Sequence, residues 1–173
     1  MFENDIRITG KHATHIKYLS NKAKIYERYI DVYMNGAIIG FLYGRRSEKD
    51  NDIDDSANIL ASTLANERLK CDFIYRLIML LDETTGHSVD ERINRAFRDV
   101  SIGREDESVG SNMKLFDSYV LGGIEVLYDI YTNGCETKED LIKKVYKVVK
   151  NFNDELEASS LNEKIKEAMV DYS

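Results

Sequence analysis

The sequence has no proline and no tryptophan, and only two of its 173 residues are cysteines. Because proline breaks the interior of a helix, its absence favours long uninterrupted helices. Two cysteines, Cys71 and Cys135, are too few for the disulfide framework of a small secreted domain and are typical of the reducing cytosol. Residues 1–5 are acidic and do not resemble a signal peptide. We therefore expect a cytoplasmic protein.

Long apolar runs and an excess of positive charge are also missing. No stretch approaches the roughly 18 apolar residues of a membrane-spanning helix, so we expect no membrane contact. The chain has 24 basic and 31 acidic residues, a formal charge of −7, which makes it a poor general binder of nucleic-acid phosphates. Residues 1–50 alone have a basic excess, nine against six. Direct DNA contact is therefore not expected, except through the region of Arg45 and Arg46.

Apolar residues recur at spacings of three and four, the period of an amphipathic helix. This pattern predicts an all-α fold, a single compact bundle of five to six helices joined by short polar loops, over residues 1–173. Residues 1–13 are expected to form an irregular arm, followed by a short helix capped by Thr14. Residues 154–173 are expected to form a peripheral or association helix. The main predicted helices cover residues 23–42, 56–81, 88–97, 113–131, 138–152 and 155–172.

Two local patterns refine these helices. Ser88 and Glu91 have the spacing of a capping box, and Thr137 precedes a first turn that contains Asp140. The predicted helix 56–81 has one apolar stripe, which we expect to face the core. Its members are Ile59, Leu60, Leu64, Leu69, Phe73, Ile74, Leu77, Ile78 and Leu81.

Paired glycines occur inside two of the predicted helices. Gly36 and Gly40 lie four residues apart, and each costs an exposed helix about 1 kcal/mol relative to alanine. Gly122 and Gly123 form a second small-residue site. We expect the two helices to cross here at short distance. One turn further on, Glu125 is expected to pair with Arg28 or with another donor at the edge of the core.

Histidine and cysteine do not form a metal-ligating pattern. His12 and His15 could supply half of a zinc site, but Cys71 and Cys135 have no ligand beside them at metal spacing. We expect no metal, and we expect the histidines to lie at the surface or to cap a helix.

An acidic run, Asp50, Asp52, Asp54 and Asp55, is the other candidate for cation chemistry. It lacks the glycine and glutamate that an EF-hand loop requires at its sixth and twelfth positions. A solvated loop before a helix explains the run better. No catalytic residue and no cofactor are predicted from these patterns, although a metal-dependent nuclease that uses the Asp50–Asp55 loop stays open as an alternative.

Two segments resemble one protein family. Residues 29–40, YIDVYMNGAIIG, are similar to its first helix, and residues 116–127 follow its pattern F-x-x-Y-x-x-G-G-[IL]-E-x-L. The family is that of small DNA phosphorothioation-associated proteins, encoded beside genes for sulfur modification of DNA and the linked restriction machinery. Ile6-Arg7-Ile8 also resembles its usual opening. The chain departs from the family in its acidic loop after Gly44 and in its longer tail.

The resemblance implies a bacterial cytoplasmic accessory protein of a phage-defence or DNA-modification operon, and it supplies no catalytic residues. The leading hypothesis is a non-catalytic subunit that binds a larger protein of a defence or restriction complex through tyrosine-bearing helix faces or the last helix. A homo-oligomer and an acidic inhibitor that mimics DNA with residues 51–110 stay open. The candidate packing or interface residues are Tyr29, Asp31, Gly36, Gly40, Phe116, Tyr119, Gly122, Gly123 and Glu125.

Overall fold

The structure, a computed structural model, describes residues 2–50, 55–98 and 107–158. The chain divides into two compact units, Met1–Asp129 and Ile130–Ser173. Helices dominate the described residues, and two short strands form the one sheet found among them. The predicted all-α class is therefore confirmed. Residues 159–173, most of the last predicted helix, lie outside the described part, as do Asp52 and Asp54.

The first unit contains both strands and most of the helices. The elements in chain order are β1 (Ile6–Thr9), α1 (Gly10–Lys17), a π-helical turn (Tyr18–Lys22), α2 (Tyr29–Leu42), β2 (Ser56–Ile59), α3 (Ala61–Asn66), α4 (Arg68–Leu81), α5 (Val89–Ile93), a second π-helical turn (Asn94–Arg98), α6 (Glu107–Thr132) and α7 (Lys138–Ala158).

The strand pair corrects two predictions. β1 and β2 are antiparallel, with Ile6 opposite Ile59 and Thr9 opposite Ser56. The arm predicted over residues 1–13 therefore contains a strand and the start of α1, and Thr14 lies inside that helix instead of capping it. The helix predicted from residue 56 is a strand followed by α3 and α4. Four-residue strands are too short for their alternation to stand out in a sequence with strong helical periodicity.

The start of α2 also differs from its prediction. The helix begins at Tyr29 instead of residue 23, after Lys24 at a φ of 56° and an extended Arg28. The Arg28 backbone N–H donates to Asp31 Oδ2 over 3.1 Å, and its guanidinium donates to Oδ1 over 2.7 Å. The carboxylate of Asp31 thus caps the start of α2, where negative charge is favoured.

Both predicted capping patterns are confirmed. Ser88 Oγ accepts the Glu91 N–H over 3.3 Å, and Glu91 Oε2 accepts the Ser88 N–H over 2.7 Å. Thr137 Oγ1 accepts the Asp140 N–H over 3.1 Å, and Asp140 Oδ2 accepts the Thr137 N–H over 3.0 Å. These reciprocal bonds fix where α5 and α7 begin.

Aromatic side chains form the centre of the first unit. The Phe116 ring of α6 lies 5.9 Å from the ring of Phe2, 6.1 Å from that of Tyr33 and 5.5 Å from that of Tyr75, centroid to centroid. All four side chains are buried. Edge-on aromatic packing of this kind joins the chain start, α2, α4 and α6 in one core.

The second unit contains the end of α6 and all described residues of α7. Leu141 is buried, whereas Ile142, Tyr146, Val149 and Phe152 are each more than half exposed. The exposed four recur at spacings of four, three and three, so they share one face of α7. Within the described ranges, no helix has both the length and the apolar character needed to span a membrane.

Candidate functional site

Gly36, Gly40 and Gly123 lie at the crossing of α2 and α6, and Gly122 lies beside it against the loop after α2. We call the four glycines the glycine notch. A Cβ atom at Gly40 would overlap the Tyr119 carbonyl, and one at Gly123 would overlap the carbonyl of Gly36. Side chains at these positions would force the two backbones apart. The notch therefore sets the distance between α2 and α6.

The loop after α2 makes a second close contact with α6. A Cβ atom at Gly122 would overlap the Arg45 carbonyl, and the Ser47 N–H donates to the Ser118 carbonyl over 2.9 Å. The glycines thus let residues 45–47 lie directly on the α6 backbone. This position brings Arg45 and Ser47 to the side chain of Glu125.

Glu125 is a buried carboxylate with four side-chain donors. Its Oε1 accepts from Lys11 Nζ over 2.8 Å, from His12 Nε2 over 3.0 Å and from Ser47 Oγ over 2.7 Å. Its Oε2 accepts from Arg45 over 3.0 Å. We call these five residues the Glu125 cluster. It connects the start of α1 and the loop after α2 to the middle of α6.

Two pKa shifts follow from this geometry. Burial alone would raise the pKa of Glu125, but the bonds from its donors outweigh burial and lower the pKa to about 2. Burial lowers the pKa of His12, although Glu125 acts in the opposite direction. Glu125 is therefore ionised at neutral pH, and a neutral His12 donates its Nε2–H to it.

Of the two alternatives expected for Glu125, the pairing with Arg28 is not found, whereas Arg45 and Ser47 fit the other one, a donor at the edge of the core. Arg28 instead bonds to Asp31 and, over 2.8 Å, to Glu67 Oε1. His12 also differs from its prediction as a surface or capping residue, because it is fully buried. No local pattern indicates that His12 and Glu125 meet, because they are 113 positions apart.

The remaining candidate residues hold elements in place. Tyr119 is buried, and its hydroxyl donates to Asp82 Oδ1 over 3.2 Å. Tyr29 accepts a bond from Asn21 over 2.7 Å at the start of α2. The Arg46 guanidinium lies 5.7 Å from the centre of the Tyr119 ring. Arg45 and Arg46, the two candidates for DNA contact, therefore both have contacts within the protein.

The metal candidates have structural contacts of their own. Asp50 Oδ2 accepts the Lys11 N–H over 2.9 Å, and Asp55 accepts bonds from Thr14 and Lys17. His15 stacks on Tyr128, with ring centres 3.9 Å apart. Among the residues that the structure describes, no three His, Cys, Asp or Glu side chains are grouped closely enough to hold a metal ion.

An exposed apolar surface, missed by the sequence analysis, lies on α4 and the second π-helical turn. Leu69 is 86% exposed and Phe73 is 65% exposed, and Leu77 and Phe97 are also open to solvent. We call these four residues the α4 face. They line a groove of about 310 Å³, flanked by the charged side chains of Asp72 and Arg76.

The α4 face overturns part of the expected buried stripe. Leu60, Leu69, Phe73, Leu77 and Leu81 are exposed, whereas Ile59, Leu64, Ile74 and Ile78 are buried as expected. The side of α4 that faces the core instead contains Cys71, Ile74, Tyr75, Ile78 and Met79. This helix is apolar on two sides, and periodicity cannot tell which side meets the core.

The predicted tyrosine-bearing helix faces are largely internal. Tyr33, Tyr75, Tyr119 and Tyr131 are buried, so they do not form an exposed platform on α2, α4 or α6. Tyr146 on α7 and Tyr43 after α2 are exposed. Other exposed apolar side chains lie outside the α4 face and α7, among them Leu42, Leu60 and Val89.

Comparison with known proteins gives no further guide to the site, because no family model, no curated protein and no solved structure matches this chain.

Proposed function

We propose that this protein is a non-catalytic accessory subunit that acts by binding a larger protein, and that the α4 face is its contact surface. The exposure of Leu69 and Phe73 is the observation that carries the proposal. Contiguous exposed apolar side chains with a charged rim are typical of protein-binding surfaces. Each such side chain that a partner covers fully would contribute roughly 1.5–3 kcal/mol to binding.

The groove has the shape and chemistry that an apolar helix of a partner would fit. Leucine and phenylalanine side chains line it together with Asp72 and Arg76, and the Arg76 guanidinium lies 5.9 Å from the centre of the Phe97 ring. An aromatic ring beside a guanidinium is a common combination in binding hot spots. We therefore expect a partner segment with regularly spaced apolar residues and an acidic residue near Arg76.

The biological setting of this proposal comes from the sequence resemblance. It favours a cytoplasmic partner that belongs to a DNA-modification or phage-defence system, with a restriction component as the leading candidate. The contacts that Arg45 and Arg46 make within the protein favour protein binding over direct DNA binding.

Co-purification from the native host tests the proposal. The full chain would be tagged at its own locus and compared with a Leu69→Ser, Phe73→Ser variant. Leu42→Ser is the matched control, because Leu42 is 64% exposed and lies outside the α4 face. We expect one defined protein to co-purify with the wild type and with the control in a constant ratio. We expect it not to co-purify with the double variant.

Two results would contradict the proposal. In the first, the double variant binds the same partner as well as the wild type does, which would mean that the contact lies elsewhere on the protein. In the second, the purified chain self-associates through the α4 face, which would mean that a second copy of the chain covers this surface instead of a partner. Light scattering of the pure wild type and double variant separates this case from partner binding.

A further inference from the structure

The first unit contains a second concave feature, a cavity of about 470 Å³ between β1, residues 47–49 and α6. Its volume falls within the range of roughly 300–1,000 Å³ typical of small-molecule sites. Ile6, Ile8 and Leu121 contribute to its apolar walls. The α6 residues Lys114 and Asp117 are seven and four positions before Leu121, so all three lie on one helix face.

Positive side chains gather at this cavity. Arg7, Lys49 and Lys114 line it, and none of the three forms a close ion pair with a residue that the structure describes, although the charge of Lys49 acts on Asp117. Lys11 and Arg45, by contrast, are both paired with Glu125. A group of unpaired cations around a concave surface attracts anions, even in a chain with a net charge of −7.

Two carboxylates, Glu48 and Asp117, line the same cavity. The Tyr33 hydroxyl donates to Asp117 Oδ1 over 3.3 Å. Desolvation raises the pKa of Asp117 to about 6, although the hydrogen bond from Tyr33 and the charge of Lys49 act in the opposite direction. A carboxyl group in this position has remaining acceptor capacity for the hydroxyl groups of a ligand.

We propose that this cavity binds a small organic phosphate of the size and chemistry of a nucleoside monophosphate. Arg7, Lys49 and Lys114 bind the phosphate, because guanidinium and ammonium groups are the usual donors to phosphate oxygens. Glu48 and Asp117 accept hydrogen bonds from the sugar hydroxyls. The ring system lies against the apolar walls. This inference does not depend on the α4 face or on a partner.

Isothermal titration calorimetry at low ionic strength tests the site, with adenosine monophosphate, adenosine and inorganic phosphate as probes. We expect the full chain to bind the nucleotide more tightly than either part alone. A Lys49→Ala, Lys114→Ala variant should bind it at least about tenfold more weakly, since a charge-assisted hydrogen bond is worth a factor of that order. A Lys147→Ala, Lys150→Ala variant is the control, because both lysines are exposed on α7.

Three results would overturn the proposal. One is no binding of the nucleotide at millimolar concentration by the folded wild type. Another is that the double lysine variant binds the nucleotide as tightly as the wild type does, since the nucleotide would then bind outside this cavity. The third is equal affinity for adenosine or for inorganic phosphate, because the cavity would then not recognise the two parts together. Circular dichroism confirms that each variant is folded.

Discussion

At the scale of single residues, Glu125 has the clearest physical role. The residue is 8% exposed, and its carboxylate connects α1, the loop after α2 and α6 through charge-assisted hydrogen bonds. The sequence indicated that this acid needs a donor. It could not identify His12, Arg45 or Ser47, which lie 113, 80 and 78 positions away. Pairing over such distances depends on how the whole chain folds.

Replacement of Glu125 by glutamine should lower the free energy of unfolding by about 2–3 kcal/mol at pH 7. The folded pKa of about 2 lies below the ordinary value of 4.5, so the carboxylate stabilises the fold above pH 4.5. That contribution is lost as the pH falls from 4.5 towards 2. Urea denaturation at pH 7 and pH 3 measures the difference between wild type and variant. A difference that does not shrink at pH 3 would contradict this role.

Asp117 should show the opposite behaviour. Because its pKa is raised from 3.8 to about 6, its ionisation disfavours the folded state as the pH rises through this range. Asp117→Asn should therefore be more stable than the wild type at pH 7.5. The gain should not exceed about 1 kcal/mol, since solvent still reaches part of the Asp117 side chain and screens its charge. It should vanish near pH 4. Denaturation curves at the two pH values check this, and a variant less stable than the wild type at pH 7.5 would refute it.

At the scale of secondary-structure elements, the α2–α6 crossing could be anticipated from the sequence, whereas the surface of α4 could not. Glycines inside a helix are costly, so two pairs of them indicated a close crossing. Leu69, Phe73 and Leu77 have the same spacing as core residues. Their exposure depends on which side of α4 packs on the core, which local periodicity does not encode.

Gly40→Ala should destabilise the protein by about 1–3 kcal/mol, because its Cβ would overlap backbone atoms of Tyr119 and a backbone cannot rotate away. Gly110→Ala is the matched control. Gly110 also lies in a helix, but a Cβ there would meet nothing within 4 Å, so this change should stabilise by roughly 0.5–1 kcal/mol. Thermal and urea unfolding measure both variants. Equal effects at the two positions would show that the notch is not tightly packed.

The α4 face should contribute little to the stability of the isolated chain. Leu69→Ser with Phe73→Ser should change the free energy of unfolding by less than about 1 kcal/mol, because both side chains are mainly in water. Ile74→Ser on the buried side of the same helix should cost several times more. Urea denaturation of the two variants measures the contrast. A large loss of stability on the exposed side would mean that Leu69 and Phe73 act in folding and not in recognition.

At the scale of the whole molecule, composition and periodicity predicted the helical class because both are averages over many residues. They missed the β1–β2 pair, which depends on residues about 50 positions apart in two four-residue segments. They also missed the Glu125 cluster and the cavity, whose members come from separate elements. The α4 face was missed for the same reason, since which apolar side chains stay uncovered depends on the packing of the whole chain.

Photo-crosslinking from position 73 in the native host is the most direct test of the claim that the α4 face binds a partner protein. A photoreactive phenylalanine analogue would replace Phe73, with the same analogue at Leu42 as the control. We predict that position 73 crosslinks to one defined protein other than this chain and that position 42 does not. A crosslink only to a second copy, or the same products from both positions, would contradict the account.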